Sequence, residues 1–308
     1  MTPDIDTLVL DFDAGSLLAL NVILALIMFG VALSLEVEDF RRVAHRPRAP
    51  LVALSAQFIL LPALTWVLTL VLAVPPSVAL GMILVSTCPG GNMSNFFTLL
   101  GRGNTALSVT VTAVGTLLAI VMTPLNVTFW GGLSADTRAV LTSLHVNPMD
   151  MVTTVLLVVG LPLVLGMAIR HFRPRWADRV VRPFKVLGLV LFGLLLVVAF
   201  HANLDIFAVV IGVVFLPVLL HNAMAWGIGL GSATLARLPR EDRRAIGTEV
   251  AIQNSGLGLV LIFAFFDGLG GMAVVAAWWG IWHIVAGMAV AGWWSRTPPL
   301  RGAPPCAE

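Results

Sequence analysis

The sequence predicts an all-α fold: a polytopic membrane protein of about nine spanning helices. Three observations carry this prediction. Hydrophobic residue types fill 58% of the 308 positions and charged ones only 11%, where a soluble domain carries about a quarter. Apolar runs long enough to cross a bilayer, roughly 20 residues each, recur along the chain. The basic residues gather at the ends of these runs, on one alternating side. A chain of mean hydropathy +0.97 would expose too much apolar surface to water, so lipid is its expected solvent.

Taken in order, spans are expected at 14–35, 50–73, 78–101, 104–129, 150–170, 185–201, 205–235, 246–266 and 271–295. The first run, Ala14 to Leu35, follows Asp4, Asp6, Asp11 and Asp13, and no Lys or Arg precedes Arg41. These flanks and this length do not suit a cleaved signal, so the run is expected to remain as the first span. Arg41, Arg42, Arg46 and Arg48 follow it. Arg102 follows the third span, and Arg170, Arg173, Arg175, Arg179, Arg182 and Lys185 lie between the fifth and sixth. Arg237, Arg240, Arg243 and Arg244 precede the eighth, and Arg296 and Arg301 end the chain. Alternating spans put 17 of the 18 basic residues on one side and leave only Arg138 on the other. By the positive-inside rule that side is the cytoplasm. The N-terminus is then extracytoplasmic, the C-terminus cytoplasmic, and the cell (inner) membrane the expected location. Trp66, Trp130, Trp226, Trp282, Trp293 and Trp294 read as an interfacial belt. The 131–149 segment is the longest late loop, and the Pro-rich tail 297–308 is expected to be disordered.

The whole chain, 1–308, reads as a single integral membrane domain. A net charge of +2 gives no reason to expect a nucleic-acid partner. Cys88 and Cys306 form no disulfide framework. The chain has no Walker A loop, dinucleotide fingerprint or Cys/His metal spacing, so neither a nucleotide-driven pump nor a cofactor is expected.

Two spans are anomalous. The third contains Cys88-Pro-Gly-Gly-Asn-Met-Ser-Asn95 and the eighth Glu249-Val-Ala-Ile-Gln-Asn-Ser-Gly-Leu-Gly258. Pro-Gly-Gly in mid-membrane removes a backbone donor and invites non-helical backbone. Such backbone survives there only where protein or a water-lined cavity satisfies it. The two spans enter from opposite sides, and each is followed by one further span. Paired interrupted helices in corresponding positions are the pattern of an inverted-repeat transporter with its site near the midplane. A pair of kinked helices without transport is the plainer alternative.

Glu249 is the costliest residue in the chain. An isolated acid at the bilayer centre costs about 2.5–3.5 kcal/mol on insertion scales. It needs a proton, a basic partner or a metal ion, and no Lys or Arg lies within these core spans. Gln253 follows one turn later, and the break frees backbone carbonyls. Such hard oxygen ligands with a single carboxylate suit sodium, with a proton on Glu249 as the rival. Ser94 and Asn95 follow the first break, Ser108 and Thr112 share a face of the fourth span, and Gln57 stands in the second. Ser86, Thr87, Thr110 and Thr116 read as back-bonded helix residues. His283 reads as the one histidine deep in a span, either satisfied in the core or facing a substrate pocket. His201 and His221 are placed near span ends and given no role.

At these residues the sequence resembles the bile acid:sodium symporter family. The matching stretches are 88–95, Arg102-Gly-Asn-Thr-Ala-Leu-Ser-Val109 and 249–258. Ile27-Met-Phe-Gly30 with Glu38-Asp-Phe40, and Gln57-Phe58 with Pro62, match too. The resemblance runs in order over nearly the whole chain. It implies a core domain (about 50–129 and 205–295) holding two crossed broken helices, and a panel domain (about 14–35 and 150–201). Bacterial members commonly have ten spans in two inverted repeats, and this chain looks as if it lacks the first. One sodium site would use Ser94, Asn95, Ser108, Thr112 and Glu249. The second would use Gln57, Glu249 and Gln253 with the carbonyls of Val250 and Ile252. Asn92 and Asn254 would sit at the crossover beside an anionic substrate, with His283 in the pocket. The resemblance thus implies sodium-coupled symport of organic anions, bile-acid-like or small carboxylates, by alternating access. Proton-coupled or uncoupled anion export is the alternative within transport, and a membrane enzyme or receptor the alternative outside it.

Overall fold

The computed structural model describes residues 5–297. The expectation for the tail falls outside them, Thr297 excepted. Every regular element among these residues is helical. The helices are α1 (Ala14–Ala32), α2 (Val37–His45), α3 (Arg48–Leu72), α4 (Pro76–Thr87), α5 (Met93–Leu100), α6 (Thr105–Gly131), α7 (Ala135–Ser143), α8 (Pro148–Phe172), α9 (Pro174–Ala202), α10 (Leu204–Leu235), α11 (Arg240–Ala251), α12 (Ser255–Phe265) and α13 (Gly270–Arg296). Seven of them, α1, α3, α6, α8, α9, α10 and α13, are long and apolar enough to cross a membrane. The third and eighth expected spans are instead two half-helices each, α4 with α5 and α11 with α12. No half reaches spanning length.

Proline sets two local irregularities. Pro62 and Pro162 each stand two residues past a π-turn, at Ala56–Leu60 in α3 and at Leu156–Gly160 in α8. A ring without N–H clashes with the carbonyl one turn back, and the wider turn absorbs it. In α3 the widened turn contains Gln57.

Two expectations need correction. The sixth span begins at Pro174 rather than 185. Pro at the first helical position starts the helix, and hydropathy registered only its apolar part, not the basic turns before it. The 131–149 loop contains the nine-residue helix α7, too short and polar to register as a span.

Helix α1 packs against α8 and α9, while α10 packs against α11 and α13, and α4 against α6 and α13. Small residues permit the first group's close approach. A Cβ on Gly188 would stand 2.6 Å from Ile27, and one on Gly166 2.9 Å from the Phe29 carbonyl. The segment before α1 is a strap over one end of the bundle. Asp6 accepts from the Ser77 N–H (2.7 Å) at the start of α4. Leu10 N–H donates to Gly268 O (3.0 Å), and Gly270 N–H to Leu8 O (2.7 Å). Asp11 N–H donates to the Asn203 side chain (2.8 Å). Beneath the strap lies an apolar cavity of about 380 Å³, lined by Leu10, Phe12, Leu20, Leu196, Phe263 and Ile281 among others.

Candidate functional site: the helix crossover

The two breaks meet. Gly90 and Gln253 form an antiparallel bridge, with Gly91 N–H donating to Ile252 O (2.6 Å) and Asn254 N–H to Pro89 O (2.9 Å). Each break thereby satisfies part of the backbone that the other has freed, as a low-dielectric interior demands. The approach requires glycine. A Cβ on Gly90 would overlap the Glu249 carboxylate, and one on Gly91 would lie 2.9 Å from Gln253 O.

Glu249 sits one half-turn before the second break and is 2% exposed. Three hydroxyls donate to its carboxylate: Ser94 (2.6 Å) and Ser108 (3.2 Å) to Oε2, and Thr112 (2.7 Å) to Oε1. Thr112 also reaches Asn95 Oδ1 (3.4 Å). The first predicted set, Ser94, Asn95, Ser108, Thr112 and Glu249, is therefore brought together from α5, α6 and α11. The sequence reading missed Thr98, which is buried and donates to Ser108 Oγ (3.3 Å). Its place one turn after Ser94 on α5 was the available signal. The cation nearest in sequence, Arg244, turns away. Its guanidinium donates to Gly101 O (2.7 Å) and Thr297 Oγ1 (2.6 Å) and lies over the Trp294 ring.

The second set also converges, around the amides. Gln57 Nε2 donates to Gln253 Oε1 (2.8 Å) and Cys88 O (2.7 Å), and Gln253 Nε2 donates to Val250 O (2.6 Å) and Gln57 Oε1 (3.3 Å). Ile252 O is held by Gly91. Glu249 belongs to the same helix end, while its own hydrogen bonds run to the hydroxyls of the first set.

Asn92 and Asn254 flank the crossover as the N-caps of α5 and α12, and Asn254 Oδ1 accepts from Leu257 N–H (3.1 Å). Two helix N-termini, with their positive dipole ends, thus begin at this depth. Helix α13 passes alongside through Gly280, whose Cβ would meet Ser255, and Gly287, whose Cβ would meet Phe97 and Ile252. His283 lies between them on that face, buried, with no hydrogen-bond partner for Nδ1. His221 is a correction. The expectation placed it near a span end, but α10 runs for 32 residues and His221 is fully buried, 2.7 Å from Thr65 Oγ1. Trp226 and Trp294, expected in the interfacial belt, are buried against each other. The back-bonded reading holds for Ser86, Thr87 and Thr116. Thr110 Oγ1 has no partner.

Among the described residues no group of three or more His, Cys, Asp or Glu lies close enough to hold a metal ion. One carboxylate ringed by hydroxyl, amide and carbonyl oxygens is a donor set for a hard cation of low charge.

A family model described as the sodium bile acid symporter family matches residues 21–209. The chain is 33% identical over 280 residues, 90% of its length and 83% of the relative's, to an uncharacterised sodium-dependent transporter of Bacillus subtilis. It is 30% identical over 238 residues to a probable chloroplastic sodium/metabolite cotransporter of Oryza sativa subsp. japonica. It is 30% identical over 232 residues to the sodium/bile acid cotransporter 4 of Homo sapiens. These matches cover 77% and 75% of this chain but only 55% and 52% of those two relatives. With the family model covering more than half of the chain, including the first break and its partners on α3 and α6, the chain belongs to the sodium bile acid symporter family.

Proposed function

We propose that the protein is a sodium-coupled symporter of organic anions. The observation that carries the reading is Glu249, a buried carboxylate with no basic partner among its hydrogen bonds, set where two broken helices cross. A negative charge in low dielectric needs a counter-charge, and the surrounding oxygens can supply a cation's remaining ligands. The hydroxyls that now donate to the carboxylate would rotate to offer lone pairs, giving one site at Ser94, Asn95, Ser108, Thr112 and Glu249. Gln57, Gln253 and the Val250 and Ile252 carbonyls would complete a second with Glu249.

The anion would bind beside the N-termini at Asn92 and Asn254, with His283 contributing from α13. The apolar cavity of about 380 Å³ lies between α1 and α9 on one side and α12 and α13 on the other. It favours an anion with an apolar body. The reading takes α1, α8 and α9 as a panel and the remaining long and broken helices as a core that rocks against it. Counting each broken pair as one span gives nine, with the N-terminus extracytoplasmic and the inner membrane as location. The relatives named as sodium/metabolite and sodium/bile acid cotransporters support the class and leave the particular anion to assay.

Reconstituted vesicles decide the matter. An inward sodium gradient should drive uptake of a carboxylate such as cholate or pyruvate, and choline in place of sodium should not. Uptake driven equally by a proton gradient without sodium would assign Glu249 to proton relay instead.

A further inference from the structure

The order unbroken helix, broken helix, unbroken helix occurs twice, as α3, α4–α5, α6 and as α10, α11–α12, α13. In each copy the first helix lends an amide to its own broken helix. Gln57 of α3 donates to Cys88 O, directly past the end of α4 (2.7 Å). Asn222 of α10 donates to Ala251 O, the last residue of α11 (2.8 Å). Asn222 is 1% exposed, and neither the donor sets above nor the family resemblance gives it a role.

Its position bears on which carbonyls are free to meet a cation. The last three carbonyls around the second break have three different partners. Val250 O accepts from the Gln253 side chain, Ala251 O from Asn222, and Ile252 O from Gly91 N–H. Past Ala251 the chain leaves the helix, with Ile252 at φ −106° and ψ 97°. In extended backbone successive carbonyls point to opposite sides. Fixing Ala251 O toward α10 therefore turns Ile252 O away from α10, toward the crossing helix. The neighbouring His221–Thr65 contact (2.7 Å) joins α10 to α3, the helix that carries Gln57. The two amides that serve the breaks are thus held in a fixed relation.

We propose that Asn222 is a positioning residue for the second sodium site. By pinning the Ala251 carbonyl it sets the peptide plane that presents Ile252 O, beside Val250 O, to the cation. The inference rests on the sodium reading above. A residue that merely satisfied a buried carbonyl would matter for folding alone. One that fixes ligand geometry also matters for ion size, because site dimensions and rigidity select among cations.

The test is thermal unfolding of the purified full-length protein, titrated with sodium chloride or lithium chloride, with choline chloride holding the ionic strength constant. Asn222→Leu should raise the sodium concentration at half-maximal stabilisation by about tenfold, the worth of one buried hydrogen bond. It should also lower the preference for sodium over lithium. Asn222→Gln, which keeps the donor, should recover part of both. Should the leucine variant fail to fold, Asn222→Ser removes the reach with less bulk and is read in the same way. A variant that melts lower without sodium, yet keeps the wild-type sodium midpoint and lithium preference, overturns the positioning role. If wild type is not stabilised by sodium over choline, the sodium reading itself fails, and the role falls with it before any variant is made.

Discussion

Helix α4, the first half of one broken pair, and helix α9, unbroken, are both strongly apolar, yet they meet opposite surroundings. Eleven of the 12 residues of α4 are buried, as are eight of the 11 in α12. In α9 only Ala177 and Gly188 are buried among 29 residues. The difference follows from backbone chemistry. An intact helix satisfies its own N–H and C=O groups and can present Val and Leu to lipid on nearly every side. A helix that stops short leaves N–H and C=O groups at its break, and protein must satisfy them there. The wrapped region thereby shelters polar side chains and loose carbonyls at low dielectric. The irregularity that needs enclosure and the site that needs polar ligands are the same feature.

Substitutions in the two regions should differ in their effects. The largest effect is expected at Gly90, where a Cβ would overlap the Glu249 carboxylate. Gly90→Val should displace the carboxylate or part the crossing strands, abolishing sodium-driven uptake and destabilising the fold by about 3 kcal/mol. Normal uptake by this variant would mean that the crossover is looser than described. Gly188→Val probes the other region. It drives a side chain into Ile27 across the α1–α9 contact and should cost about 1–3 kcal/mol in stability, with the sodium midpoint unchanged. A shifted midpoint would show that the ion site depends on the α1–α9 packing.

Two smaller effects complete the series. Ser108→Ala removes one neutral oxygen from the carboxylate's ring. It should weaken sodium binding by about 1 kcal/mol, some fivefold, in an equilibrium titration. Val197 on α9 is 65% exposed, and Val197→Ala should change melting and uptake by no more than about 0.5 kcal/mol. A large loss there would mean that this face of α9 is covered by protein rather than lipid.

What the sequence disclosed follows the same division. Pro89-Gly90-Gly91 and Glu249 signal trouble locally, because a missing donor and a buried acid are costly wherever they stand in a bilayer. The hydroxyls of Ser108 and Thr112 were legible because one helical turn separates them on a shared face. The antiparallel pairing of Gly90 with Gln253 was not, since it joins segments far apart in sequence and uses backbone atoms alone. Asn222 and His221 escaped for a related reason. Within a long apolar run hydropathy does not mark which residues face inward, and their partners, Ala251 O and Thr65, come from other helices. The early start of α9 at Pro174 was hidden by the basic turns that precede its apolar part.

On the proposed function, the Glu249 carboxylate and its ring of oxygens bind sodium. Calorimetric titration of purified protein with sodium chloride against a choline background measures that binding itself, carried out well above the pH range in which carboxylic acids titrate. Wild type should show saturable sodium binding and a melting temperature that climbs with sodium. Glu249→Gln, which keeps shape and an oxygen but loses the charge, should show neither. Absence of sodium binding by wild type under these conditions, or undiminished binding by Glu249→Gln, would rule out a sodium site at Glu249.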